Sequence, residues 1–151
     1  MIDFRIGIDP DTDKSGVALF NSEKKKFIGL YNMRFFELFR YLSDCQKIDA
    51  KFGKETGVVI EAGWLNAKSN FHGAFGGAAE RIGAKVGANH ETGKKIAEMC
   101  EYLNIHYKLV KPLSLKPWGG KKINHAQFVQ LTGWVGRTNQ EQRDAAMLVL
   151  T

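Results

Sequence analysis

The sequence predicts an α/β fold with a mixed five-stranded sheet, and three observations carry that expectation. Apolar and polar residues alternate near the N-terminus, a continuous apolar run stands at Val58-Val59-Ile60, and apolar stripes recur elsewhere at helical spacing. Residues 4–9 place Phe4, Ile6 and Ile8 on one side and Arg5, Gly7 and Asp9 on the other, as a strand requires. Pro10 ends that strand, and Asp11 to Lys14 has the composition of a turn. Gly16 to Phe20 and Phe27 to Tyr31 read as the second and third strands, joined by the polar Asn21-Ser22-Glu23 turn, so the first three strands form an antiparallel meander. The Lys24–Lys26 run reads as a solvated strand edge.

Phe35, Leu38, Phe39 and Leu42 follow the i, i+3, i+4, i+7 pattern and predict a helix over 34–46. Val58-Val59-Ile60, ending in Glu61, has the pattern of a strand covered on both faces. Residues 62–77 are rich in Gly, Asn and aromatics, and the helical stretch that follows carries Ile96, Met99, Cys100 and Leu103 at helical spacing. His106 to Val110 is the fifth strand, stopped by Pro112. Two more helices are expected, one over about 123–131 and one from Asn139 to the chain end, giving the order β-β-β-α-β-α-β-α-α.

With 151 residues, 44% of them apolar, the chain can close one hydrophobic core and is too short for two ordinary domains. One domain over 1–151 is expected. No window approaches the roughly eighteen consecutive apolar residues of a membrane span. The N-terminus enters a strand pattern with no basic-then-apolar leader, so a cytoplasmic protein with no membrane partner is expected. Cys45 and Cys100, far apart in sequence, offer neither a disulfide framework nor a multi-thiolate metal site.

Charge is the first functional clue. The chain carries 22 Lys and Arg against 16 Asp and Glu, a net +6, and no acidic residue lies between Tyr102 and Gln140. That stretch holds Lys108, Lys111, Lys116, Lys121, Lys122 and Arg137, so the rest of the chain is balanced and the whole excess lies in the last third. A one-sided basic face on a small domain points to a polyanion, most often nucleic acid, with a merely solubilising surface as the plain alternative.

Other signals fail. His72, His90, His106 and His125 lie sixteen or more residues apart, so no helical zinc pair exists. Ala88-Asn89-His90-Glu91-Thr92-Gly93-Lys94-Lys95 has Ala where a phosphate loop begins with Gly, and Lys where Ser or Thr would hold magnesium. The glycines from Gly73 to Gly87 do not make a dinucleotide fingerprint.

Carboxylates stand where acids are structurally odd. Asp9 ends the first strand, Glu61 closes the most apolar strand, and Asp144 precedes the run Ala145-Ala146-Met147-Leu148-Val149-Leu150 inside a helix, with Glu141 one turn earlier on the same face. A carboxylate near a core must be paired, solvated at a mouth or bound to a cation. Few basic residues lie near these acids in sequence, which favours the cation. Asp9 before Pro10 is also a reasonable turn initiator, and Thr138-Asn139-Gln140-Glu141 reads as a capping box that gives Glu141 a purely structural role.

Taken together, Ile6-Gly7-Ile8-Asp9-Pro10, Ser15-Gly16-Val17-Ala18, Val58-Val59-Ile60-Glu61 and Glu141-Gln142-Arg143-Asp144-Ala145-Ala146 resemble the motifs of RuvC-type Holliday junction resolvases, within the ribonuclease H-like superfamily. The resemblance spans nearly the whole chain in the right order, with the aromatic Trp64 three residues after Glu61. It implies a ribonuclease H-like mixed five-stranded sheet flanked by helices, a homodimer, and Mg²⁺-dependent incision of four-way DNA junctions, with two ions per site and Mn²⁺ as a substitute. Asp9, Glu61, Glu141 and Asp144 would then be the catalytic acids and metal ligands. Two departures mark a divergent branch: Asp11 stands where the family usually has Gly, and Glu141 where it usually has Asp or His.

On this reading, Lys111, Lys116, Lys121 and Lys122 contact DNA phosphates, and Trp64, with Phe71 as a second candidate, stacks on bases unpaired at the junction centre. Trp64 has core packing as its alternative. Symmetric incision needs two sites related by a two-fold axis, and the resemblance implies the helix beginning near Ala78 as the interface, with core packing of its apolar face as the alternative. Two rival functions share the fold. One is a ribonuclease H-like nuclease acting on hybrids or other branched DNA. The other is a non-catalytic nucleic-acid-binding module in which the acids serve as turn and cap residues.

Overall fold

The computed structural model describes residues 1–66 and 76–151, and of Ala79 and Lys116 only the backbone. Phe71 and His72 lie outside the described residues. Strands β1 (Phe4–Asp9), β2 (Ser15–Asn21) and β3 (Lys26–Met33) form the expected meander. With β4 (Thr56–Glu61) and β5 (His106–Val110) they make one sheet in the order β3-β2-β1-β4-β5. β4 runs parallel to both β1 and β5, so the sheet is mixed.

The side-chain alternation of β1 sorts the two layers. Ile6 and Ile8, with Val17, Val58 and Ile60, face a core closed by Leu38 and Leu42 of α1 (Phe35–Phe52) and by Ile96, Met99 and Cys100 of α2 (Gly76–Tyr102). Ala18 and Phe27 face the opposite core, closed by Phe128 of α3 (His125–Thr132) and by Ala145, Ala146 and Val149 of α4 (Gln140–Leu150). Val58, Val59 and Ile60 are all buried, as expected of a strand covered on both sides.

Two helix boundaries differ from the sequence reading. α1 runs past residue 46 to Phe52 and ends on Gly53 in the left-handed region (φ 64°, ψ 35°). Its last turns carry Ile48 and Phe52 on the solvent side, so no inward stripe marked them. α3 begins at His125 because Asn124 caps it, its side chain accepting from the Gln127 amide at 2.8 Å. Ile123 lies outside that helix and is buried in the core.

The capping box of α4 is one residue later than predicted. Asn139, not Thr138, accepts from the Gln142 amide at 2.9 Å, and the Gln142 side chain accepts from the Asn139 amide at 3.1 Å. Thr138 is committed elsewhere, its hydroxyl accepting from Arg143 Nη1 at 2.7 Å and lying 2.8 Å from His125 Nδ1. Glu141 is therefore released from the capping role. Asn139→Ala is expected to destabilise the protein by about 1 kcal/mol, which thermal unfolding would read as a fall of about 2–4 °C in Tm.

Candidate active site

Asp9 and Glu61 end two strands that run side by side in parallel, with Ile8 registered against Ile60. Ile8 and Ile60 point into the α1–α2 core, so by alternation the next residues, Asp9 and Glu61, stand on the α4 side of the sheet. α4 reaches them because the sheet is bare where it crosses. A Cβ built on Gly7 would lie 2.0 Å from the Ala145 carbonyl oxygen, and one built on Gly16, the register partner of Asp9, would lie 2.1 Å from that of Glu141. Two missing side chains thus seat the helix directly on the sheet, with Asp144 at the acid end.

Asp9 senses both of the other acids. Burial, then the hydrogen bond and like charge of Glu61, then the charge of Asp144 push the Asp9 carboxyl up to about 8, with Lys122 opposing the rise. Burial leads that displacement, and the two neighbouring acids add to it more than Lys122 takes away.

The resident positive charge was not foreseen in sequence. Lys122 Nζ lies 2.6 Å from Asp144 Oδ2, and the Asp144 side chain is only 16% exposed. Burial works to lower the Lys122 pKa, but the hydrogen bond to Asp144 and the charges of Asp144, Asp9 and Glu61 outweigh it, so this lysine is held charged. The other carboxylate oxygen is also engaged: Gln140 Nε2 donates to Asp144 Oδ1 at 2.8 Å. Arg143 orients that amide by donating to Gln140 Oε1 at 3.1 Å, while its Nε donates to the Ile123 carbonyl at 3.1 Å. Gln140 and Arg143 escaped the sequence reading, although Gln140 and Asp144 stand four residues apart on one helix face.

The donor set suits a hard divalent cation, since among the described residues three carboxylates face the Lys122 ammonium and carboxylate oxygens favour Mg²⁺ or Mn²⁺. Among the described residues, however, no three His, Cys, Asp or Glu donors already surround a common point. A divalent cation bound here would have to draw Asp9, Glu61 and Asp144 together and displace Lys122 from Asp144. It follows that Lys122→Met should raise the affinity of the DNA-free protein for Mn²⁺, a change that titration calorimetry reads directly.

The remaining predicted site residues sit as follows. Glu141 is exposed in the first turn of α4, its backbone against Gly16. Lys111 and Lys121 are exposed; the Lys116 side chain lies outside the described residues. Trp64, in a short 3₁₀ turn (Gly63–Leu65), is half-buried against α2. A Cβ on Gly93 would lie 2.5 Å from Trp64 Cζ3 and 3.2 Å from Pro10 Cγ, so the indole and the proline after Asp9 share one seat on that helix. The His90 ring stands edge-on to the indole at 6.3 Å, and Asn89 Oδ1 accepts from the Thr12 amide at 3.1 Å. α2 thereby holds both loops that flank the acids. No described helix is long and apolar enough to cross a membrane.

No protein-family model and no curated protein matches the sequence. Among solved structures, the chain is similar to T. thermophilus RuvC in complex with a Holliday junction substrate, with a TM-score of 0.57 at 13% identity over 97% of this chain and 90% of that one. It is also similar to a second Thermus thermophilus RuvC structure, with a TM-score of 0.50 at 14% identity over 97% of this chain and 91% of that one. At these identities the likeness is one of fold. The chain has a RuvC-type fold, an α/β architecture on a mixed five-stranded sheet.

Proposed function

We propose that this chain is a divalent-metal-dependent, structure-selective endodeoxyribonuclease that resolves four-way DNA junctions as a homodimer, residues 1–151 forming one nuclease domain. One observation carries the reading: in a RuvC-type fold, Asp9, Glu61 and Asp144 arrive at one end of the sheet from β1, β4 and α4, close enough that Glu61 and Asp144 both act on the Asp9 carboxyl. Asp9, Glu61 and Asp144 would hold the ions, with Glu141 assisting from the turn before Asp144. Bound Mg²⁺ would supply an activated water and offset the charge that develops on the leaving oxygen.

The chain's own residues order the site. Arg143 and Gln140 hold the Asp144 carboxylate in place. Trp64 and Asn89 brace the loops on either side of Asp9 and Glu61. Lys122, once released from Asp144, is placed to meet an incoming phosphate, and Lys111, Lys116 and Lys121 extend the basic track. Replacing Lys121 and Lys122 together with alanine should reduce the salt dependence of junction binding by about 2, one for each phosphate contact. An unchanged slope would put the DNA track elsewhere.

Incision of a four-way junction, a flap and an RNA–DNA hybrid by one preparation in Mg²⁺ tests the proposal. Preferential, symmetric cutting of the junction is expected. Preference for the hybrid would favour the ribonuclease H-like alternative. No cutting at all, together with no Mn²⁺ binding by calorimetry, would favour a non-catalytic binding module. Sedimentation with and without junction DNA tests the dimer.

A further inference from the structure

A cavity of about 750 Å³ opens directly beside the acids, with Glu61, Asp144 and Lys122 on its wall. Its volume lies within the range of about 300–1,000 Å³ that small-molecule sites occupy. The cavity continues along α4 between the β5–α3 connection and the β2–β3 turn, and Lys25 and Lys26 stand at the turn end. Its lining is mainly apolar and includes the half-buried indole of Trp118. Leu115, Leu131 and Leu150, three large apolar side chains left exposed by the fold, all line this one space.

We propose that this cavity receives the nucleobase next to the scissile phosphate, unstacked from its strand and laid against Trp118. The inference rests on the nuclease reading above, because it is the phosphate at Asp9, Glu61 and Asp144 that brings a base to the cavity mouth. The chemistry of the walls matches a nucleotide at three levels. Lys122, on the wall beside Glu61 and Asp144, meets phosphate once released from Asp144, the apolar chamber and its indole accept either face of a planar base, and Lys25 and Lys26 lie where the continuing strand needs positive charge.

The cavity also gives a physical cause for selectivity between DNA structures. Extruding a base from an intact duplex costs a few kcal/mol, and least where pairing is already interrupted. A strand entering at a branch point meets that cost in part beforehand, whereas continuous duplex does not. The site therefore favours branched DNA without reading any base edge.

The test uses the full-length protein and a four-way junction whose nucleotide beside the cut carries a normal base, an abasic sugar or 5-iodouracil. Binding is measured without divalent ions, and incision in Mg²⁺. The wild-type protein is expected to bind the junction with the base about tenfold more tightly than the abasic one, and irradiation of the iodouracil junction should crosslink Trp118. Leu131→Trp changes an exposed position at the cavity wall, so it leaves the core intact; it should remove the preference for the base by filling the space.

Equal binding of the base-bearing and abasic junctions by the wild-type protein, or a crosslink to a residue outside the cavity, overturns the proposal. A base preference with a Trp118 crosslink, in a protein that cuts no junction in Mg²⁺, keeps the base pocket and overturns the nuclease reading instead.

Discussion

Asp9→Asn is expected to bind a four-way junction as the wild-type protein does and to cut it at least roughly 10²–10³-fold more slowly, the scale of loss when one group that stabilises developing charge is removed. Asp9 lies between the other two acids in the electrostatic sense: Glu61 and Asp144 both act on it, and Lys122 acts on it in return. An amide keeps the shape of the side chain but withdraws its charge and half its acceptor capacity, so the lysine track proposed for DNA is untouched while the proposed set of cation ligands is broken. Gel-shift binding beside single-turnover incision separates the two effects. Incision at the wild-type rate in Mg²⁺ would remove Asp9 from the metal site.

The same substitution has a stability signature with a definite sign. Burial, with Glu61 and Asp144 beside it, pushes the Asp9 carboxyl up to about 8, against 3.8 in an unperturbed chain. The folded state therefore holds a proton that the unfolded state has already lost. The stabilisation from that proton is complete below about pH 4 and is lost as pH rises toward 8. Asp9→Asn removes this dependence, so in EDTA its Tm should exceed that of the wild type by more at pH 8 than at pH 5. Mg²⁺ should narrow the gap at pH 8 by stabilising the wild-type carboxylate, with which the amide cannot compete.

How much of this was legible in the sequence follows from the range over which each signal acts. The strands and their meander were legible because period-two alternation and turn residues are local. Asp9 and Glu61 were legible as strand ends, and their meeting followed from the topology that the resemblance implied. Lys122 was not legible as a partner of Asp144, because the two stand 22 residues apart and nothing local joins the β5–α3 connection to α4. The α4 cap was misread by one residue since Thr138 and Asn139 are both good capping types. The arginine and the histidine that engage the Thr138 hydroxyl decide between them. Trp64 offered packing and base stacking as equal readings, and its contact with Gly93 and Pro10 is a tertiary fact that spacing cannot carry.

Gly7→Val is expected to lower Tm by about 6–12 °C, the scale of roughly 3 kcal/mol in a domain of this size. Its Cβ would stand 2.0 Å from the Ala145 carbonyl oxygen and 2.8 Å from Val149 Cγ2. The nearest obstacle is helix backbone, which cannot rotate aside, so α4 must lift from the sheet and carry Asp144 with it. Gly16→Ala strikes the same helix one turn earlier, at the Glu141 carbonyl and directly beside Asp9. Its cost in stability should be smaller, because a single methyl is added near the helix end, where the backbone can shift without unpacking Ala145 and Ala146. Its cost in function should be larger than its cost in stability implies, since the displacement acts where, on the proposed function, three carboxylates would share cations. A Gly16→Ala protein that melts within a few degrees of wild type yet loses Mn²⁺ affinity would establish that the bare strip of sheet under α4 sets the geometry of the acids. A variant with wild-type Mn²⁺ affinity would mean that the acids find their positions independently of how closely α4 approaches the sheet.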